Sequence, residues 1–497
     1  MTNAVEISQA SRSQPRRPMS MFKQSVLVSG ARVIDKAMSL AIVLVMARHF
    51  GEQGMGEFYY YFSLASLFIP LIDVSTGMTL LQRWHERDEH GRRLLMTQLV
   101  ILKFALGILA LALALGGDAI SKWGAPNVLA VSAALLAIFF DDISELLRRP
   151  AHAQGKYALE VITPLISRVV QLVLVFVFLS RMTNGFQVIY IFAAANLVET
   201  LISIYGTAGC VPTVLAGSKR GDWWDILKNG APFAMSGLFC MASLHFDSVM
   251  LASYSMKAVG AYGSAVRIIM VMNVLNGGVC HALFPKLIKA KAEKDRGHIG
   301  WLINGTLRGF IVLFGAISIG GIAIGPQLMA TLYGDKFPDT GAIFRFLSPI
   351  ILLAAFYSLL GQCLEILGEQ AKVMRIYALS AAVNIVGNLL LIPQYGMFGA
   401  AAATLVSSLI TVIMLFVMIY KNKDVIMTDC GLGRAAIFLA IIAVFFAPLA
   451  WLSVWIAVPL GALFFAALLL PFRSYWFAGM GRLAGEKQVN CEGTPQR

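Results

Sequence analysis

Residues 83–116 read RWHERDEHGRRLLMTQLVILKFALGILALALALG. The first part carries Arg83, Arg87, Arg92 and Arg93, and Lys103 is the one charge in the apolar run from 95 to 116. A helix needs about 20 apolar residues to cross the hydrocarbon core of a bilayer. A basic segment followed by such a run reads as a cytoplasmic loop leading into a membrane span. The same alternation repeats along the whole chain. Fourteen apolar stretches lie near 25–49, 57–82, 95–116, 126–147, 157–180, 186–207, 230–254, 260–285, 303–332, 343–366, 370–392, 397–420, 434–450 and 453–472. The expected fold class is an all-α polytopic membrane protein with 14 transmembrane helices.

Composition agrees with this reading. Of 497 residues, 58% are hydrophobic and only 13% charged, against roughly 25% charged in a soluble protein. Of 40 Lys and Arg, 28 fall in every second gap and 5 in the alternate gaps, Arg48, Lys122, Arg181, Lys257 and Lys336. The positive-inside rule assigns the richer set to the cytoplasm, with both termini there. The expected location is a bacterial inner membrane, crossed many times. The net charge of +13 is spread over loops rather than gathered in one stripe, so nucleic acid is not an expected partner. Cys210, Cys240, Cys280, Cys363, Cys430 and Cys491 are far apart in sequence and form no metal-type pair. No disulfide and no metal site are expected. The first twenty residues are polar, with Arg12, Arg16 and Arg17, and read as a cytoplasmic tail rather than a signal peptide.

A weak internal repeat divides the chain. Gly56-Glu57-Phe58 opens span 2 after a short loop, and Gly260-Ala261-Tyr262 opens span 8 in the same way, 204 residues later. An even number of spans separates the two, which is the arrangement of parallel repeats in secondary transporters. The expected organisation is a tail over 1–22, an N-terminal lobe of six spans over 23–215 and a C-terminal lobe of six spans over 216–425. Spans 13 and 14 over 426–475 and a second cytoplasmic tail over 476–497 complete the chain.

Several stretches resemble a known family. Met46-Ala47-Arg48-His49-Phe50-Gly51 through Gly56-Glu57-Phe58-Tyr59 is similar to the first external loop of polysaccharide flippases, as is Val259-Gly260-Ala261-Tyr262 with Ala265-Val266-Arg267 and Pro285. The fullest match is Leu391-Ile392-Pro393-Gln394-Tyr395-Gly396-Met397-Phe398-Gly399-Ala400-Ala401-Ala402-Ala403-Thr404. It follows Asn384, Asn388 and the earlier run Leu332-Tyr333-Gly334-Asp335-Lys336-Phe337. Together these resemble the multidrug/oligosaccharidyl-lipid/polysaccharide exporter superfamily, and within it the Wzx-type flippases of lipid-linked oligosaccharides. The resemblance covers spans 1–12. It implies two six-helix lobes around a cavity lined mainly by spans 1, 2, 7 and 8, with alternating access. It transfers no residue-level site.

Site candidates come from charges inside spans, which usually line a cavity or a path. Arg32, Asp35 and Lys36 share one face of span 1. Arg32 lies about seven residues, roughly 10 Å, from the cytoplasmic end, and Asp73 lies at a similar depth in span 2. A pairing of Arg32 or Lys36 with Asp73 is therefore expected. Asp247 in span 7 and Arg267 in span 8 also match in depth, each about seven residues from the outer end. Arg32, Lys36, Asp73, Asp247 and Arg267 are the substrate-binding candidates. Asp35, Asp141, Asp142, Arg168 and Glu199 form a candidate coupling or structural network, in which Glu199, Asp141 or Asp142 would answer Arg168. Lys103, Glu160, Arg308, Arg345 and Glu365 lie nearer span ends and are expected to snorkel. Pro70, Pro164, Pro326 and Pro349 are expected to kink their helices. Tyr59, Tyr60 and Tyr61 are expected as aromatic anchors at the outer interface.

The chemistry favours an anion cargo. An Arg gives planar, bidentate recognition of phosphate at any accessible pH. Outward movement of an anion gains about 2.3 kcal/mol per charge per 100 mV of membrane potential. The expected activity is translocation of polyprenyl-(pyro)phosphate-linked oligosaccharide between leaflets for surface polysaccharide synthesis. The carboxylates Asp35, Asp73 and Asp247 are alternative seats for a coupling H⁺ or Na⁺; no other cofactor is expected. Expected partners are the lipid-linked oligosaccharide, membrane lipids and a polysaccharide polymerase with its export machinery. A cation-coupled multidrug exporter and a lipid II flippase are the alternatives within the superfamily. A membrane-embedded polymerase is a more distant one, because the external loops are short and hold no paired carboxylates, nucleophile constellation or phosphate-binding glycine loop. The protein is not expected to be an enzyme.

Overall fold

The structure is a computed structural model, and it describes residues 21–74, 76, 80, 88–120, 127–153, 157–207, 220–426, 432–449 and 451–469, some helical residues by backbone alone. The first helix, α1, runs Met21–Ser66 and holds span 1 and the start of span 2 in one ribbon. Only Gly51 leaves helical geometry, at φ 68° and ψ −171°, a conformation that costs little for a residue without Cβ. The two expected spans are thus joined through a bend rather than a loop. Span 2 then breaks. After Ser66 comes the four-residue helix α2, Ile69–Ile72, with Pro70 in its first turn and Asp73 at its non-helical end. Pro70 lacks the N–H that a continuous helix would need.

The next helices are α3 Glu89–Ile120, α4 Val128–Ala153, α5 Tyr157–Phe178 and α6 Val188–Gly206. They correspond to spans 3–6. The second half holds α7 Arg220–Ala252, α8 Met256–Met272, α9 Val274–Ala292 and α10 Arg296–Tyr333. It continues with α11 Thr340–Leu347, α12 Ile350–Leu367, α13 Gln370–Tyr395 and α14 Met397–Tyr420. The last described helices are α15 Leu432–Leu449 and α16 Val454–Leu469. Spans 8 and 10 are each divided, at Asn273 and at Ser348-Pro349. Pro164 and Pro326 instead lie inside continuous helices. Eight of the described helical stretches are long and apolar enough to cross a membrane, and three shorter helices are also apolar.

The two repeat motifs meet each other. A Cβ on Gly56 would overlap the carbonyl oxygen of Met256, and a Cβ on Gly260 would overlap that of Glu52. Each glycine faces the carbonyl of the residue four places before the other, so the contact is reciprocal. Backbones approach this closely only where side chains are absent. Gly185 packs on the Gly54 carbonyl in the same way. The tyrosines following Gly56 are not lipid-facing anchors. Tyr60 and Tyr61 are buried, and the Tyr61 hydroxyl accepts a hydrogen bond from the Asn127 N–H at 2.9 Å. Glycine also closes the α13–α14 turn, where a Cβ on Gly399 would strike the Leu391 carbonyl.

Candidate functional site

Three charged clusters lie in the first half. Arg168 on α5 donates from Nε to Asp35 of α1 at 2.7 Å and from a terminal nitrogen to Gln171 at 2.8 Å. Gln171 in turn donates to Asn196 of α6, which donates to the Ala137 carbonyl of α4. Arg148 meets Glu199 at 2.6 Å, with both side chains almost fully buried. Ser144 also donates to Glu199. Lys103 on α3 bridges Asp142 of α4 and Asp73 at the break in span 2, the latter at 3.3 Å.

These contacts correct several expected pairings. Asp73 is held by Lys103 and the Thr76 hydroxyl, not by Lys36. Lys36 projects with about half its side chain exposed and, among the described residues, forms an ion pair only with Asp35, at 3.6 Å. The side chain of Arg32 lies outside the described residues. Arg168 is answered by Asp35 rather than by Glu199, which Arg148 occupies. Asp141 is accessible on α4, between half-buried Phe140 and Asp142, and Asp142 belongs to Lys103. Lys103 does not snorkel; it is 1% exposed. Two carboxylates within reach of one ammonium make burial more favourable than extension to the interface.

The second half treats its charges differently. Asp247 on α7 is 2% exposed. It accepts from the Tyr262 hydroxyl of α8 and, at 2.6 Å, from the backbone N–H of Ser248. Tyr262 also lies 3.3 Å from the Thr404 hydroxyl of α14. Asn384 of α13 donates to that hydroxyl at 3.3 Å, and Asn388 donates to Asn384 at 3.0 Å. The Asn388 amide oxygen is buried and has no hydrogen-bond partner among the described residues. Among those residues no Lys or Arg forms a salt bridge with Asp247, so the carboxylate meets neutral donors and opens a polar chain that runs through Tyr262 and Thr404 to Asn384 and Asn388.

Arg267 points elsewhere. Its guanidinium donates to the Ser39 hydroxyl of α1, and among the described residues no carboxylate pairs with it. The Tyr59 hydroxyl is buried close by, and the Tyr59 ring packs on Gly263. Asp247 and Arg267, expected at one depth, take different partners. Tyr262 and Arg267 are five residues apart on α8, which turns them about 140° from each other. The facing side was not readable from sequence. Tyr262, Asn384, Asn388 and Thr404 were not expected around Asp247. The two asparagines inside an apolar span were the available signal, since buried amides need polar neighbours.

The helices thus bury polar groups, two expected spans are divided, and the two halves meet at a glycine contact. Residues 22–291 match the family model described as "Polysaccharide biosynthesis protein". The chain belongs to that family. Two curated relatives from Haloferax volcanii are similar in part. "Probable low-salt glycan biosynthesis flippase Agl15" is 23% identical over 30% of this chain and 32% of its own length. "Probable flippase AglR" is 27% identical over 38% of each chain. The chain thus spans about a third of the length of these relatives. Solved structures share the fold. "Lipid II flippase MurJ, inward closed conformation" aligns at TM-score 0.72 and 14% identity, covering 90% of this chain and 99% of that one. An inward-facing multidrug resistance MATE family transporter of the MOP superfamily aligns at 0.63 and 16% identity, covering 84% and 96%. This member of the polysaccharide biosynthesis family is a multi-pass membrane protein, and it shares its fold with those flippase and exporter structures.

Proposed function

We propose that the protein is a flippase that moves polyprenyl-(pyro)phosphate-linked oligosaccharide from the cytoplasmic to the outer leaflet of the inner membrane, by alternating access between two six-helix lobes. The observation that carries this reading is Arg267. It is a cation in a membrane-spanning segment whose close partner is a neutral hydroxyl across the two halves, Ser39. A guanidinium so placed is available to a phosphate, which it binds more strongly than a hydroxyl through paired charge-assisted hydrogen bonds. The first-half cations Arg168, Arg148 and Lys103 already hold carboxylates. Arg32 remains a second candidate contact by its place on span 1. The family match and the flippase names of the relatives support a lipid-linked glycan as cargo.

Asp247 supplies the complement. A buried carboxylate among neutral donors and acceptors gains from taking up a proton or a monovalent cation, because an unpaired buried charge is costly. The amide oxygen of Asn388, without a partner among the described residues, ends the polar chain that starts at Asp247 and is an oxygen of the kind Na⁺ takes. In this reading Asp247, not the paired Asp35 or Asp73, seats the coupling H⁺ or Na⁺. Both termini lie in the cytoplasm, and the Gly56–Gly260 contact faces outward.

Depletion of the protein in its host tests the activity. Lipid-linked oligosaccharide then accumulates on the cytoplasmic face. Normal surface polysaccharide after clean deletion, with no second family member present, contradicts the proposal.

A further inference from the structure

The end of the molecule that holds the Gly56–Gly260 contact carries a charged cluster that no transport step above uses. Glu52 lies just past the Gly51 bend, between spans 1 and 2, and is 3% exposed. One carboxylate oxygen accepts from the backbone N–H of Asp339 at 3.2 Å and from the Thr340 hydroxyl at 3.3 Å. These residues begin α11 in the second half. The other oxygen has no hydrogen-bond partner among the described residues and lies 3.5 Å from the Lys257 ammonium, which is itself 3.2 Å from the Asp339 carboxylate. Three segments therefore meet at one carboxylate: the α1 bend, the start of α8 and the start of α11. Further contacts clamp the same end. Arg48 donates to the carbonyls of Thr331 and Leu332, and Lys336 donates to that of His49.

We propose that Glu52 is an acid-operated latch: closing this end buries its carboxyl and takes up a proton from the adjoining solution, and opening returns that proton to the same solution. The inference rests on alternating access, and on nothing about the cargo. Burial without full compensation is the physical basis. Lys257 is half exposed and shared between two carboxylates, so it offsets only part of the cost of burying a charge. The charged and titratable groups on the surrounding segments are Arg48, His49 and Glu57 on α1, Arg181 before α6, Lys257, and Asp335, Lys336 and Asp339 before α11. Of these, Asp339 and Lys257 act directly on Glu52. Burial pushes the Glu52 carboxyl above the ordinary carboxylate range; the Asp339 N–H opposes this, the Asp339 charge adds to it, and Lys257 and Thr340 oppose it.

The sign follows from linkage. The closed end binds the proton more tightly than an open, solvated end with an ordinary carboxyl. Acid therefore favours closure, and the preference fades as pH rises through the closed-state value. Because the proton enters and leaves on one side, the latch tunes the conformational balance and carries no proton across the membrane.

Full-length protein in lipid nanodiscs, with native cysteines replaced, tests this through spin labels at T183C and Y254C, two exposed positions at this end. Distances between the labels are measured from about pH 4 to pH 8, a span that starts near the ordinary glutamate value of about 4.3 and rises through the range into which burial raises it. The wild-type open fraction should rise several-fold with pH. Glu52→Gln, which keeps the acceptor for Asp339 and Thr340 without the charge, should stay closed across the range. Lys257→Met, which removes a cation favouring the charged form, should move the transition to higher pH. A Glu52→Gln variant that titrates like wild type, or a wild type that opens in acid, overturns the latch. Distances that never change in any variant overturn the alternating access on which it rests.

Discussion

The two halves of this molecule hold their buried charges in opposite ways. In the first, Asp35 meets Arg168, Glu199 meets Arg148, and Lys103 sits between Asp73 and Asp142. In the second, Asp247 and Arg267 each face neutral hydroxyls, Tyr262 and Ser39. Charges that answer each other fix helices in place, and removing one partner leaves the other stranded. Charges answered by neutral groups keep their capacity for a mobile ion. The difference separates the part of the membrane interior that holds the fold from the part that can do work.

The largest effect should come from breaking a first-half pair. Arg148→Ala leaves Glu199 buried and unpaired, and should lower stability by about 3–5 kcal/mol. Folded yield in the membrane and the melting midpoint in detergent measure it. A melting point equal to wild type would mean that the Arg148–Glu199 pair does not organise α4 and α6. Next comes Asp247→Asn, which keeps shape but removes the charge. Transport should fall at least about tenfold, some 1.4 kcal/mol in coupling, while the melting point stays close to wild type. A large loss of stability with no specific transport defect would place Asp247 with the structural charges instead. Tyr262→Phe removes one donor to Asp247 and should change the ion dependence of transport a few-fold, a cost of about 1 kcal/mol. The smallest effect belongs to Lys36→Ala. Its side chain is 51% exposed, and exposed ion pairs contribute about 0–1 kcal/mol. A tenfold transport defect there would add Lys36 to the cargo path.

The helical membrane architecture was legible because span length and loop charge are local properties. The 204-residue offset was legible too, and it became the reciprocal contact of Gly56 with Met256 and of Gly260 with Glu52. Helical placement also came through: each described site candidate lies in a helix or at the broken end of one. Partnership did not. Depth along a span follows from counting residues, but direction depends on helix rotation, which an apolar sequence leaves weakly marked when lipid and protein faces are equally hydrophobic. Lys103 shows this best. Its place near a span end suggested snorkelling, yet it turns inward because Asp73 is exposed by a helix break that Pro70 only hinted at. The continuous α1 ribbon went unread for a related reason, since a lone glycine such as Gly51 can mark a loop or a bend equally well.

The central claim is that Arg267 meets the cargo anion while the first-half pairs only support the fold. The direct measurement is transbilayer movement of a polyprenyl-diphosphate oligosaccharide in proteoliposomes, comparing wild type, Arg267→Ala and the double variant Asp35→Asn with Arg168→Gln. Removing both members of a pair strands no charge, so the double variant should transport within a few-fold of wild type. Arg267→Ala, inserted and folded at wild-type level, should transport at least about tenfold more slowly. Movement at the wild-type rate by Arg267→Ala would contradict the account.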